Sequence, residues 1–218
     1  MKYESNEIFK SQYVSSFEEL FSDLLSSVSG ISESTIERYF NAEGMGARSK
    51  SLAGTVRKLL VNDLQLKGWQ PNWTPFKGTT GLESSVWSFD AARRTQFNGE
   101  DFWVTVEISF DNRVALGTHL MKAEVANSLK FRNPSIPEPI LHHCIIAASK
   151  AFRESAGIDN SVASAEEFAN ASKVYDDLTS VGTTLLSLQP LETIEILQRK
   201  FEGRKMSKLL NLASKSDS

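Results

Sequence analysis

The sequence predicts an α/β protein in which a mixed β-sheet is flanked by helices on both faces. Residues 102–110 alternate between two sets of side chains, as a β-strand requires. Residues 140–148 and 181–188 are continuous apolar runs, which are typical of strands buried on both faces. Stretches with helical periodicity lie between these strands, so the chain runs as a strand hairpin, helix, strand, helix and strand.

The first third of the chain has the periodicity of α-helices. Apolar residues recur there at spacings of three or four, and they are Phe17, Leu20, Phe21, Leu24 and Leu25. A second apolar stripe runs through residues 51–67 and ends at Gly68. These patterns predict helices before the sheet begins.

The chain is expected to form one domain with three parts. Residues 1–48 form a helical N-terminal part, residues 50–190 the core, and residues 191–218 a basic C-terminal helix with a tail. Residues 1–43 carry eight acidic and three basic residues, whereas residues 199–218 carry two acidic and six basic residues. The C-terminal end is therefore the better guide to where a polyanion lies.

Two strands of the core are expected to pair as a hairpin. The dipeptide Asn98-Gly99 separates residues 89–97 from residues 102–110, and it favours a tight turn because both positions tolerate a positive φ angle. The remaining predicted elements are a helix at about 114–129, a polar loop at about 149–164 and a helix at about 165–178.

Composition excludes several classes of protein. The chain has 218 residues, 23% of them charged, and no apolar run approaches the roughly 18 to 20 residues that a membrane helix needs. The first residues lack the layout of a signal peptide, so we expect a cytoplasmic protein without a membrane partner. The single cysteine, Cys144, excludes an intrachain disulfide, and the net charge of −3 argues against a protein that coats nucleic acid.

The main candidates for chemistry are Asp90 and Glu107. Glu107 lies in the middle of an otherwise apolar strand, where a carboxylate is costly unless it is solvated, paired or bound to a metal. Asp90 lies on the neighbouring strand of the predicted hairpin, so both carboxylates converge at one sheet edge. Two carboxylates can hold Mg²⁺, although a plain surface hairpin is the alternative. We expect structural roles for His119, His142 and His143.

A resemblance to a known family rests on these strands. Residues 106–113, Val-Glu-Ile-Ser-Phe-Asp-Asn-Arg, resemble the active-site strand of the type II restriction endonucleases related to BglII, BstYI and BamHI, in the PD-(D/E)XK nuclease superfamily. The separation of seventeen residues between Asp90 and Glu107 resembles the longer of the family's spacings. The likeness covers about residues 50–190, and it implies a restriction-endonuclease-like mixed sheet with N-terminal helices and a C-terminal helix.

The resemblance implies a catalytic site with one departure from the family. Asp90 and Glu107 would bind Mg²⁺, and the third position is Ser109, where the superfamily usually has lysine and this group has glutamine or glutamate. A serine hydroxyl carries no charge near neutral pH, so it can position water but cannot act as a strong base. We hypothesise that Lys122, on the following helix, reaches the site and replaces the missing charge.

The resemblance also implies residues that contact DNA. Asn112 stands where the family has an asparagine that helps to read the target, and Arg113 follows it. Asn160 and Ser161 match a loop whose short polar side chains contact base edges in the major groove. Without the resemblance, Asn160 and Ser161 would be read as an ordinary turn.

The implied function is Mg²⁺-dependent hydrolysis of double-stranded DNA at a short palindrome, for which a GATC-containing sequence is the candidate, leaving 5′-phosphates. A palindromic target implies a homodimer with one site per strand, and a cognate DNA methyltransferase as a further partner. Two alternatives stay open. One is a sequence-specific DNA-binding protein with a degraded site on the same fold, and the other is a non-nuclease α/β interaction protein.

Overall fold

A computed structural model of the chain describes residues 1–10, 17–42, 51–76, 87–130, 138–201 and 204–212. These residues form eight strands and seven α-helices. The strands are β1 (Tyr3–Phe9), β2 (Gln70–Trp73), β3 (Phe89–Phe97), β4 (Glu100–Ser109), β5 (Ile140–Ala148), β6 (Gly182–Leu188), β7 (Ile194–Phe201) and β8 (Arg204–Asn211). The helices are α1 (Phe17–Leu20), α2 (Ser22–Gly30), α3 (Glu33–Ala42), α4 (Ala53–Leu66), α5 (Leu116–Lys130), α6 (Lys150–Ser155) and α7 (Ala165–Tyr175).

Six strands form one mixed sheet in the order β1-β6-β5-β4-β3-β2. The central pairs β4–β5 and β5–β6 are parallel, and the outer pairs are antiparallel. The predicted turn between β3 and β4 is present, since Asn98 has a φ angle of 51° and Gly99 one of 83°. The predicted mixed sheet is confirmed.

Helices cover both faces of this sheet, as predicted. One face packs against α2, α3, α4 and α6, with Val56, Leu60 and Phe152 facing Val106 and Ile146 in a single apolar cluster. The opposite face packs against α5 and α7, through Leu120 and Phe168 on those helices. Within the described ranges, no helix combines the length and the apolar character needed to cross a membrane.

The prediction of a wholly helical N-terminal part is wrong. Residues Tyr3–Phe9 form β1, which pairs with β6 at the edge of the sheet. Four consecutive positions of β1, residues 4–7, are exposed, so this strand lacks the apolar alternation that marks a strand in a sequence. Its hydrogen bonds come from β6, which lies almost the whole chain away.

The predicted basic C-terminal helix is also wrong, because β7 and β8 form an antiparallel hairpin there. Ile194 and Ile196 are buried against the core and lie two residues apart, the period of a strand rather than of a helix. Residues 213–218 of the predicted tail lie outside the described residues. The predicted polar loop at 149–164 contains the short helix α6, whose first turn is capped by the Ser149 hydroxyl accepting a hydrogen bond from the Phe152 N–H at 3.0 Å.

Candidate active site

The β3–β4 hairpin brings Asp90 and Glu107 to the same place. Ala91 pairs with Val106 in the antiparallel ladder, so Asp90 and Glu107 lie one step further along the two strands. The backbone N–H of Ile108 donates a hydrogen bond to Asp90 Oδ2 at 2.7 Å. The two carboxylates therefore converge, as the sequence predicts, and they do so in the interior: Asp90 is 5% exposed and Glu107 3%.

Asp90 is paired with a cation from helix α4. Arg57 donates two hydrogen bonds to the same oxygen, Asp90 Oδ1, through Nε at 2.8 Å and Nη2 at 2.6 Å. The apolar stripe of α4 packs on the sheet, and Arg57 is placed at the edge of this interface. Because Asp90 is buried, the guanidinium offsets part of the cost of removing its charge from water.

Glu107 is paired with two residues of helix α5. Lys122 Nζ donates a hydrogen bond to Glu107 Oε2 at 2.8 Å and another to the Ser88 carbonyl at 2.9 Å. His119 Nδ1 lies 3.0 Å from the other carboxylate oxygen, Oε1. His119 and Lys122 are three residues apart, so they share one face of α5 and both meet the strand.

These neighbours divide the charge unequally between the two carboxyl groups. Burial alone would raise the pKa of Glu107, but the close approach of His119 and the charge of Lys122 outweigh it and lower this pKa from 4.5 to about 2. Burial and the negative charge of Glu107 raise the pKa of Asp90, and Arg57 and the Ile108 N–H only partly offset this. Of the two carboxyl groups, Glu107 is therefore the one that stays ionised more readily.

A third carboxylate, Asp111, completes the cluster just after β4. Asp111 Oδ2 lies 3.6 Å from His119 Nε2, and Asp111 Oδ1 lies 3.9 Å from Arg57 Nη1. Glu107, Asp111 and His119 each offer one ligand atom, and these atoms lie within 4.8 Å of one another. Two carboxylates and an imidazole fit a divalent cation, since the oxygens suit hard ions and the nitrogen suits transition metals.

Ser109, the third predicted position, is buried beside the cluster. It lies two residues after Glu107 on β4, so the two side chains share a face of the sheet. Its hydroxyl has no hydrogen-bond partner within the described part of the chain. Lys122 reaches Glu107 as hypothesised, whereas the catalytic role of Lys122 and of Ser109 stays a prediction.

The predicted DNA-contacting residues come from two loops that meet next to this cluster. Asn112 forms an isolated bridge with Val162, and the Arg113 N–H donates a hydrogen bond to the Ser161 carbonyl at 2.8 Å. Asn160 and Ser161 are exposed. Two of the four side chains have local partners: Asn112 Oδ1 accepts from the Val114 N–H at 3.2 Å, and Arg113 Nε lies 2.6 Å from Glu167 Oε1.

Sequence reasoning missed Arg57, Asp111 and the place of His119. Arg57 lies 33 residues before Asp90, and nothing local connects them. The spacing of His119 and Lys122 on one helix was the available signal, because it puts both side chains on one face. The other two histidines fit the structural roles predicted for them: His142 contacts Thr184 Oγ1 at 3.0 Å, and His143 contacts Thr105 Oγ1 at 2.8 Å.

Comparisons with known proteins bear on the fold. No model of a protein family matches the sequence, and no curated protein sequence matches it. Among solved structures, the restriction endonuclease BglII complexed with a DNA 16-mer matches over 96% of this chain and 89% of its own, with a TM-score of 0.59 and 16% sequence identity. This chain has the restriction-endonuclease fold of BglII. Free BglII matches over 96% of this chain and 94% of its own, with a TM-score of 0.46 and 14% identity.

The likeness to BglII confirms the predicted fold class. At 16% sequence identity, the likeness supports the fold alone, and the chemistry depends on the residues that this chain places at the site.

Proposed function

We propose that the protein is a type II restriction endonuclease that hydrolyses double-stranded DNA and requires a divalent cation, with Mg²⁺ as the proposed ion. The observation that carries this proposal is that Asp90 and Glu107 lie side by side in the interior. Asp90 is held there by a 2.7 Å hydrogen bond from the backbone N–H of Ile108, the residue after Glu107. A plain surface hairpin would leave these carboxylates solvated, whereas here they face Arg57 and Lys122 in the interior. The BglII-like fold supports the same conclusion.

The proposed roles follow from the contacts of each residue. Asp90 and Glu107 would hold Mg²⁺, which when bound neutralises charge on a phosphodiester and lowers the pKa of water. Lys122 places its ammonium group 2.8 Å from Glu107, where it offsets negative charge at the site. The Ser109 hydroxyl, which has no hydrogen-bond partner among the described residues, would orient a water molecule. Attack of water on phosphorus breaks the P–O3′ bond in line and leaves a 5′-phosphate.

The proposed DNA contacts lie beside this site. Asn160 and Ser161 are exposed short polar side chains of the kind that pair with base edges, and Asn112 and Arg113 stand on the adjoining loop. We propose a homodimer acting on a palindrome, in which GATC is the candidate sequence, with one site for each strand. We further propose that the enzyme works in the cytoplasm beside a DNA methyltransferase of the same specificity.

Cleavage of phage and plasmid DNA tests the proposal. Wild-type protein should cut with Mg²⁺ and not with EDTA, and sequencing the ends should give one site and a 5′-phosphate. Asp90→Asn and Glu107→Gln should abolish cutting, whereas Asp177→Asn, which removes an exposed carboxylate remote in sequence from β3 and β4, should not. Equal cutting by the wild type and both site variants would overturn the site assignment.

A DNA-binding protein with a degraded site is the second candidate, and Ser109 is the observation that favours it. Its buried hydroxyl cannot supply the charge that the family's usual residue carries. A mobility-shift assay run beside the cleavage assay separates the two. Sequence-specific binding that survives moderate salt, without cutting in any divalent ion, would establish this candidate. No binding to any duplex would instead favour the non-nuclease interaction protein.

A further inference from the structure

The imidazole of His119 is held between two carboxylates. Its Nδ1 lies 3.0 Å from Glu107 Oε1, and its Nε2 lies 3.6 Å from Asp111 Oδ2. The residue is only 5% exposed, and neither ring nitrogen makes a directed hydrogen bond to any described residue. Buried ring nitrogens without such a bond are rare in folded proteins, and here both nitrogens face carboxylate oxygens, so a cation shared with those oxygens would complete the cluster.

Each carboxylate divides its two oxygens in the same way. Glu107 gives Oε2 to Lys122 and turns Oε1 towards His119. Asp111 Oδ1 lies 3.9 Å from Arg57 Nη1, and Asp111 Oδ2 is turned towards His119. Lys122 and Arg57 therefore lie on the outer oxygens, and the inner oxygens and the imidazole remain for an ion.

Asp111 is the most exposed member of this cluster. The Asp111 side chain is 46% exposed, whereas the side chains of Glu107 and His119 are 4% and 7% exposed. One carboxylate of the cluster therefore lies at the protein surface, and the other two ligand groups lie beneath it.

We propose that Glu107, Asp111 and His119 form a mixed oxygen–nitrogen site for a transition-metal divalent cation. This inference rests on the proposed function, because the site shares Glu107 with it, and it adds Asp111 and His119 as ligands and a preference for a transition metal. Mg²⁺ favours oxygen ligands and keeps several waters, whereas an imidazole adds affinity for Co²⁺ and its neighbours.

Calorimetric titration of metal-free protein with Co²⁺ and with Mg²⁺, in the absence of DNA, tests this site. Wild-type protein should bind Co²⁺ more tightly than Mg²⁺. His119→Phe keeps an aromatic ring against Phe168 and removes both nitrogens, so it should lose at least roughly tenfold in Co²⁺ affinity and much less in Mg²⁺ affinity. Asp111→Asn should weaken both ions, and Asp177→Asn should change neither.

Thermal unfolding in EDTA shows whether the His119→Phe variant is folded. Asp111→Asn provides an independent test, because Asp111 is half-exposed and its replacement does not disturb the core. Equal Co²⁺ and Mg²⁺ affinities in the wild type, or unchanged Co²⁺ binding in both site variants, would overturn the proposal. The outcome is separate from the proposed function. If the protein cuts DNA with Mg²⁺ but its Co²⁺ binding does not depend on His119, only the mixed-ligand site is rejected. If Co²⁺ binding depends on His119 but the protein cuts no DNA, only the proposed nuclease function is rejected.

Discussion

At the scale of single residues, the candidate site is a set of opposite charges, some buried and some half-exposed, that neutralise one another. Asp90, Glu107 and Asp111 face Arg57 and Lys122, with His119 between two of the carboxylates. Removing a charge from water costs several kcal/mol, so each buried carboxylate is stable only because a cation lies next to it. The energetics of the fold and the chemistry of the site are therefore coupled at these residues.

The Lys122–Glu107 pair gives the first prediction. Lys122→Met should destabilise the protein by roughly 3 kcal/mol, because it leaves Glu107 charged, buried and without its main cation. The double variant Lys122→Met/Glu107→Gln should recover much of this loss, since it removes both charges. Urea unfolding measures both, and Lys173→Met, on the exposed side of α7, is the matched control. A loss no larger than that of Lys173→Met would show that the pair contributes little.

The low pKa of Glu107 gives a second prediction, for metal-free protein. Its pKa is about 2 in the folded chain against an ordinary 4.5, so the folded state binds fewer protons than the unfolded state between these values. Glu107 therefore stabilises the fold fully above pH 4.5, and this contribution disappears as the pH falls towards 2. Urea unfolding across this window should show a shallower pH dependence for Glu107→Gln. An unchanged slope would contradict the assigned pKa.

At the scale of elements, the site exists because four of them meet. Strands β3 and β4 bring Asp90 and Glu107 together, α4 adds Arg57, and α5 adds His119 and Lys122. The last element, the β7–β8 hairpin, is attached to the N-terminal part through α3. Its contact is a carboxylate, Glu33, that accepts hydrogen bonds from the backbone at the start of β7.

Glu33 gives the prediction at this scale. Its two oxygens accept from the N–H groups of Glu192, Thr193 and Ile194 at 2.7, 2.6 and 3.1 Å. Glu33→Ala should cost about 2 kcal/mol of stability, since hydrogen bonds to a charged group exceed the usual contribution. Hydrogen exchange should show faster opening of β7 in this variant. Glu37→Ala, on the same helix, is the control. Equal effects of the two variants would show that Glu33 does not hold the β7–β8 hairpin in place.

At the scale of the whole molecule, the net charge of −3 conceals an uneven distribution. The acidic excess of residues 1–43 lies at one end of the chain and the basic excess of residues 199–218 at the other. A protein that reads a sequence needs local positive charge and a few base contacts, so the total excludes indiscriminate coating more than it excludes DNA.

The proposed homodimer gives the prediction at this scale. Sedimentation of the protein with one short duplex that contains its target should give two chains of 24.2 kDa per duplex, because each strand needs its own site. A duplex of unrelated sequence is the control. One chain per target duplex, with both strands still cut, would refute the symmetric arrangement.

Patterns local in the sequence determined the central hairpin, the buried strands β5 and β6, and the meeting of Asp90 with Glu107. Alternation, apolar runs and the Asn98-Gly99 turn act over a few residues, and they therefore show in the sequence itself. The tertiary structure alone decided the strand β1, the C-terminal hairpin and the partners Arg57, His119 and Asp111. These depend on contacts between distant segments, where pairing and burial override local propensity, and no local pattern records them.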